Sequence, residues 1–355
     1  MAIGRYRLLD SGEIITATTF TTIALNSATN SAGSILSFEG GHGSMVGVVF
    51  NATAITSPPT YTISAQGVAS RGTPSGTVYG GGTALGTVIP AVGINTVLFG
   101  TAFAGTPGDQ VAIVINSASA AAGATATIAT RVTSAGGSQG SPYAIQQSAG
   151  VWSVVTAGMP SISPLYADGS IGTGFVCPAS FANSAPTSSS NPYFVGNSFT
   201  PPIDCVCTGV YLGVRVAAGS DFVISVYSGS SPTLVGTTPT FSVDKLTAST
   251  SGAFPIFVPL SASLSMTANT QYRLVLNMTS ATAFTTQVVA TFSSQAIRES
   301  YSGLLFATTS PSTVGFTDNQ LAVYPLSPKI DSFTAAAGGA TSRSRIFTEG
   351  GINDK

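Results

Sequence analysis

The side chains that could do acid–base, nucleophilic or metal chemistry are few in this chain of 355 residues: one histidine, three cysteines and thirteen carboxylates. His42 stands in Glu39-Gly-Gly-His-Gly43. A histidine beside a carboxylate on a glycine-rich loop could take a proton as a general base. No spacing ties it to a nucleophile, so it reads as an ordinary loop residue. A glycosidase needs two carboxylates about 5 to 9.5 Å apart. Asp204 and Asp221 flank expected strands and Asp244 lies further on. Nothing in the spacing brings two of them together. Asp commonly closes turns by bonding nearby backbone, and these are read that way. Cys205 and Cys207 are two apart and share one face of a strand. With Cys177 they make three thiols, but zinc sites favour the CxxC spacing and a fourth ligand. They read as small buried hydrophobes, with a Cys177 disulfide left open. The run Gly80-Gly-Gly82 is not followed by the Lys-Ser/Thr of a phosphate loop. It reads as a loop tip that widens one end of a domain. No metal and no cofactor is expected.

Aromatic side chains remain as binding groups, because tyrosine and tryptophan faces stack on apolar sugar faces. Tyr79, beside the glycine run, is the candidate ligand-binding residue. Trp152 lies in Gly150-Val-Trp-Ser-Val-Val155, which alternates like a strand, and is assigned to core or interface. Asn51-Ala-Thr53 and Asn277-Met-Thr279 match the glycosylation acceptor pattern and are taken as coincidental.

The elements that must position these residues are strands. Tyr61–Val68 and Phe222–Tyr227 alternate with period two, and Val111–Ile115 and Tyr272–Leu276 read as strands buried on both faces. Gly, Pro, Asn and Ser separate them at Ser57-Pro-Pro59, Thr106-Pro-Gly-Asp109 and Ala218-Gly-Ser-Asp221. No segment has an amphipathic helical stripe. The Ala-rich stretch 117–125 is interrupted by Gly123 and is expected to be a long hairpin loop.

The second half of the chain repeats the first. Met45-Val-Gly-Val-Val-Phe50 aligns with Cys207-Thr-Gly-Val-Tyr-Leu212, and Tyr61-Thr-Ile-Ser64 with Phe222-Val-Ile-Ser225. Leu85-Gly-Thr87 aligns with Val235-Gly-Thr237, Gln110–Asn116 with Gln271–Asn277, and Ile128-Ala-Thr130 with Val289-Ala-Thr291. The offset is about 161 residues, except around 70 to 87, where the first copy carries an extra glycine-rich loop. A repeat of this length is a whole domain rather than a solenoid unit of roughly 20 to 50 residues. The expected fold is all-β: two tandem jelly-roll-like antiparallel β-sandwich domains, at 1–170 and 176–335. A C-terminal tail, 336–355, is a candidate docking segment.

Only 7% of residues are charged, against about 25% in an average domain. The formal net charge is −1, so no basic stripe exists and no nucleic-acid partner is expected. Between residues 40 and 160 the charges are Arg71, Asp109 and Arg131 alone, whereas both ends of the chain are charge-rich. A surface of Ser, Thr, Asn and Gly with near-zero net charge favours association. Met1–Asp10 has positive residues with no apolar stretch behind them, so no signal peptide is expected. No run of 18 apolar residues predicts a membrane span.

The stretch from Tyr61-Thr-Ile-Ser-Ala-Gln-Gly-Val68 through Gly76-Thr-Val-Tyr-Gly-Gly-Gly82 to Pro107-Gly-Asp-Gln-Val-Ala-Ile-Val-Ile115 resembles β-sandwich modules of tailed-bacteriophage virion proteins. These include fibre, tail-tip and capsid-decoration proteins, and the modules are similar to carbohydrate-binding jelly rolls. Phe222–Tyr227 with Ser231–Thr237 is a weaker second version. The resemblance implies residence in a virion, assembly in the host cytoplasm and a non-enzymatic role as a homo-oligomer, with a trimer as one candidate. Other virion proteins and a host surface glycan are the implied partners. It supplies no catalytic residue. Two other readings stay open: a capsid shell protein of double jelly-roll type, and a carbohydrate-binding or tailspike protein.

Overall fold

The computed structural model describes residues 20–25, 29–38, 43–69, 72–116, 125–132, 143–154, 158–160, 162–169, 171, 194–201, 203–216, 221–229, 232–245, 254–278, 286–288, 301–307 and 326–333. The first half contains β1 (Phe20–Ala24), β2 (Ser31–Ser37), β3 (Met45–Thr56), β4 (Tyr61–Val68), β5 (Pro74–Val78), β6 (Leu85–Val88) and β7 (Gly93–Phe103). It continues with β8 (Gln110–Asn116), β9 (Thr125–Val132), β10 (Tyr143–Ser148), β11 (Val151–Val154), β12 (Gly158–Pro160) and β13 (Ile162–Tyr166). The second half contains β14 (Phe194–Phe199), β15 (Cys205–Val216), β16 (Phe222–Ser228), β17 (Thr233–Thr237) and β18 (Phe254–Met266). After these come β19 (Tyr272–Met278), β20 (Thr286–Val288), β21 (Tyr301–Ala307) and β22 (Leu326–Phe333). The expectation of an all-β chain holds. Helical geometry among the described residues is limited to short turns such as Tyr79–Gly82 and Val243–Lys245.

Every described strand pairing is antiparallel, and strands of each half pair only within that half. In the first half one sheet runs β1-β9-β3-β13, with β7 also on β3 and β12 also on β9. The other runs β11-β10-β2-β8-β4-β5, with β6 also on β4. Val48, Phe50 and Val97 from the first sheet meet Leu36, Ile63, Val111 and Ile113 from the second in one buried cluster. The second half does the same with β17-β16-β19-β14-β21 facing β18-β15-β20, to which β22 adds on β15. Leu212, Ile256 and Val258 there pack on Ile224, Leu274 and Leu276. Strand β8 is buried on both faces, as its unbroken apolar run predicts. Its outward Ala112 and Val114 join Ile35 and Ile145 in a second small cluster, against which Trp152 packs.

The two halves share their pairing register. Val48 faces Val97, and Val210 faces Val258. Phe50 faces Asn95, and Leu212 faces Ile256. Ile63 faces Ile115, and Ile224 faces Leu276. The irregularity recurs too: residues 45 to 47 of β3 span residues 103 to 98 of β7, and 207 to 209 of β15 span 264 to 259 of β18. The same shift in pairing at one register position of both halves agrees with the repeat read from the sequence. Glycine sits beside it in both halves because the backbone of the neighbouring strand passes too close for a Cβ: Val97 at Gly47, Val258 at Gly209.

One correspondence escapes the sequence reading. Ile162-Ser-Pro164 and Leu326-Ser-Pro328 occupy the same place, with Pro164 opposite Val48 and Pro328 opposite Val210. Both prolines lie on strands that pair on one side only, where a missing N–H is tolerated. Leu85-Gly-Thr87 and Val235-Gly-Thr237, by contrast, differ in register. Ser64 faces Leu85, whereas its counterpart Ser225 faces Thr237, two residues further along the motif. The extra segment of the first half lies beside this point and brings β5 onto the end of β4.

Candidate functional site

The segment around Tyr79 forms the tip predicted from its glycines. Gly80 and Gly81 take left-handed φ values of 65° and 68°, and Gly80 to Thr83 are exposed. Gln66 holds the strand behind it, its Oε1 accepting from Gly76 N at 3.0 Å and its Nε2 donating to Ser64 Oγ at 2.9 Å. Tyr79 itself is half-buried. Its ring stacks on Phe103 with centroids 4.1 Å apart and lies beside Gly67. Burial, and secondarily the negative charge of Asp109, pushes its phenol above the ordinary range. One ring face is therefore already spent on packing, and the side chain anchors the tip to the core as well as standing near it.

Asp109 closes its own turn, whereas Asp204 and Asp221, expected to close theirs, bond backbone far along the chain. Asp109 Oδ2 accepts from Thr106 N at 3.1 Å, Asp204 Oδ1 from Ala268 N at 2.7 Å, and Asp221 Oδ1 from Val243 N at 3.1 Å. Cys205 and Cys207 are buried in the second core, and burial, with Asp204 adding to it, raises the Cys205 thiol. Raised thiols are poor nucleophiles because little thiolate forms. Among the described residues no group of three or more His, Cys, Asp or Glu could hold a metal ion, and no helix is long and apolar enough to cross a membrane. Asn277 lies within β19 and donates from Nδ2 to Ser225 Oγ at 2.6 Å, so its amide is engaged inside the sheet. His42, Cys177, the loop 117–124, the Ser/Pro/Asn-rich stretch 182–192, which reads as a linker or long loop, and the tail 336–355 lie outside the described residues.

What remains is a surface that sequence reasoning missed. Strand β7 alternates Asn95, Val97 and Phe99 inward with Ile94, Thr96 and Leu98 outward. Ile94 and Leu98 are both 64% exposed, and Ile89 and Val92 just before them are also exposed. Across the sheet Leu98 lies beside Gly47 and then Leu165, and Thr96 lies beside Val49 and then Ser163. The result is an uncharged outer face on which Ile94, Leu98, Val49 and Leu165 are interleaved with Asn51, Thr96 and Ser163, on a strand that pairs with β3 on one side only. The signal was present in Gly93-Ile-Asn-Thr-Val-Leu-Phe-Gly100, whose outward positions are as apolar as its inward ones.

The second half presents the same face differently. There Phe257 takes the place of Thr96 and Pro259 that of Leu98. Phe257 is 2% exposed, with Tyr211 tilted against it at 5.3 Å and the Lys329 ammonium 5.7 Å from its ring centre. Onto Pro259 comes a turn of the first half, Thr106-Pro-Gly-Asp109. A Cβ on Gly108 would stand 2.6 Å from Pro259 Cδ. The two halves of the chain thus touch by a turn of one on the outer sheet face of the other.

No protein-family model, no curated protein and no solved structure matches this chain.

Proposed function

We propose that this chain is a non-enzymatic structural subunit of a tailed-bacteriophage virion, carried on the particle exterior as a fibre, spike or head decoration and acting by oligomerisation and surface adhesion. The observation that carries the reading is the uncharged apolar face of β7, β3 and β13. Monomeric proteins rarely leave contiguous apolar surface of this kind bare, and its counterpart in the second half is covered. Low overall charge supports the same conclusion, since near-neutral surfaces associate readily. Among the described residues Asp109, Asp204 and Asp221 hold backbone N–H groups and Cys205 and Cys207 pack in the core, which favours a binding role over a catalytic one. Tyr79 keeps its place as the loop-tip residue for a host surface glycan, offered by whatever ring surface Phe103 leaves open.

Strand order favours a more specific architecture. In the first half β1-β9-β3-β7 faces β2-β8-β4-β6, so the chain crosses between sheets at most steps and stays in one sheet from β4 to β6, as in a double Greek key. We read each half as a jelly roll on that basis. Tandem jelly rolls also favour the second reading, a capsid shell subunit. Native mass spectrometry and electron microscopy of the purified chain test both. A discrete symmetric oligomer supports the exterior subunit; closed shells built by this chain alone decide for the shell protein. A strict monomer that binds no virion component overturns both.

A further inference from the structure

We infer that the apolar face of β7 is the docking site for a second copy of this chain, and that the segment it receives is the turn Thr267-Ala-Asn-Thr270. The inference deepens the assembly reading above by naming its surface and its partner. It rests on a contact already made within one molecule. Turn 106–109 of the first half sits on Pro259 of the second half's outer face. Both partners in that contact are duplicated. Leu98 occupies the register position of Pro259, opposite Gly47 as Pro259 is opposite Gly209. Turn 267–270 occupies the position of turn 106–109, and it is built the same way. Gly108 N donates to Phe38 O at 2.8 Å, and Asn269 N donates to Pro201 O at 2.8 Å. Asp109 N donates to Thr106 O, and Thr270 N donates to Thr267 O. Gly108 and Asn269 share a left-handed φ, of 91° and 59°.

Within one chain the first turn finds the second face. The second turn and the first face are left over, with Thr267 and Asn269 exposed and Leu98 and Ile94 bare. A neighbouring copy supplies the missing half of each. Such a contact is heterologous, and repetition closes it into a ring or extends it into a filament. The surfaces have diverged accordingly. The covered face carries Phe257 and Pro259 at the positions where the bare face carries Thr96 and Leu98. The β7 face carries no charge, and the turn it receives is polar, with the Asp204 carboxylate beside it accepting from Ala268 N.

The test uses the full chain. Leu98→Cys and Asn269→Cys are purified separately, one with an affinity tag, then mixed under oxidising conditions. A disulfide-linked adduct that forms only in the mixture is expected. In parallel, Leu98→Asp should lower the association constant about tenfold or more in sedimentation velocity; Thr96→Arg, exposed on the same face, repeats the measurement should Leu98→Asp fold poorly. Self-linked Leu98→Cys dimers would overturn the proposal in favour of face-to-face pairing. A wild-type oligomer that survives both surface variants and gives no mixed adduct would overturn it while leaving the assembly reading intact. A wild-type chain that stays monomeric at every concentration would remove both.

Discussion

The outer faces around β7 and β18 occupy the same register positions in the two halves and carry different residues. Their inward residues still correspond: Val48 with Val97 and Val210 with Val258 make equivalent pairs in the two cores. Outward, Thr96 has Phe257 as its counterpart, Leu98 has Pro259, and Leu165 has Lys329. Core positions are held by close packing, where a change of one methylene is felt. Outward positions answer to whatever touches them. Inward positions also differ in places, as Asn95 does from Ile256, but the outward differences coincide with different neighbours, and the neighbour of β18 is visible as turn 106–109.

The sharpest way to break this comparison is through the cores. Ile63 and Ile224 are both fully buried and equivalent in register. Ile63→Ala and Ile224→Ala should each cost about 2–5 kcal/mol. The halves meet where turn 106–109 and β2 approach β18, and each half has its own core, so each substitution should lower one of two unfolding steps and leave the other. Trp152, the one tryptophan, lies in the first half and reports its step by fluorescence. Both variants moving one shared transition by the same amount would mean that the halves fold as a single unit.

A smaller effect separates the two turns. Gly108→Ala places a Cβ against Pro259 and on a left-handed φ, and should cost about 1–3 kcal/mol. Asn269→Ala shares the φ, its turn is held by bonds within the second half, and asparagine tolerates that conformation, so its cost should stay near 1 kcal/mol. Denaturant titration measures both. Equal costs would show that the Gly108 contact adds nothing beyond backbone strain.

Much of this was legible in the sequence, for reasons that differ by position. Tyr61–Val68 and Phe222–Ser228 have one buried and one partly solvated side, so alternation reveals them. The duplication was visible because core residues and bulge glycines keep their types. Ile162-Ser-Pro and Leu326-Ser-Pro were too short a match to stand out, and only their shared pairing on Val48 and Val210 identifies them. Strand β18 was obscured by Pro255 and Pro259, which read as breakers until the strand proves to pair on one side only. The Tyr79–Phe103 stack and the Gly108–Pro259 contact join residues 24 and 151 positions apart, and no local pattern encodes such a distance.

Two serines give opposite signs. Ser34 is fully buried with a hydroxyl that has no hydrogen-bond partner. Ser34→Ala should therefore be neutral or stabilising, by up to about 1 kcal/mol. Ser225 Oγ accepts from Asn277 Nδ2, and Asn277 Oδ1 is already without a partner. Ser225→Ala should cost about 1–3 kcal/mol, because it strands a second polar atom of the same buried amide. Melting temperatures moving the same way for both would contradict the hydrogen bonding described for each half.

The smallest effect belongs to the feature that the first half has alone. No counterpart of Tyr79 exists in the second half, where β16 passes to β17 through a shorter connection. The phenol is raised by burial and then by Asp109, so the folded state favours its neutral form. The stabilisation is complete below the unfolded phenol range of about 10 and is lost as pH climbs through the higher folded value. Alkaline titration should therefore destabilise the first half earlier than Tyr79→Phe does, since phenylalanine keeps the stack on Phe103 without an ionisable group. Trp152 fluorescence during denaturation at rising pH follows this, with the second half as the internal control. Identical alkaline losses in the wild type and in Tyr79→Phe would mean that the ring at the tip is solvated enough to ionise freely, and would return it to the role of an open platform for a sugar.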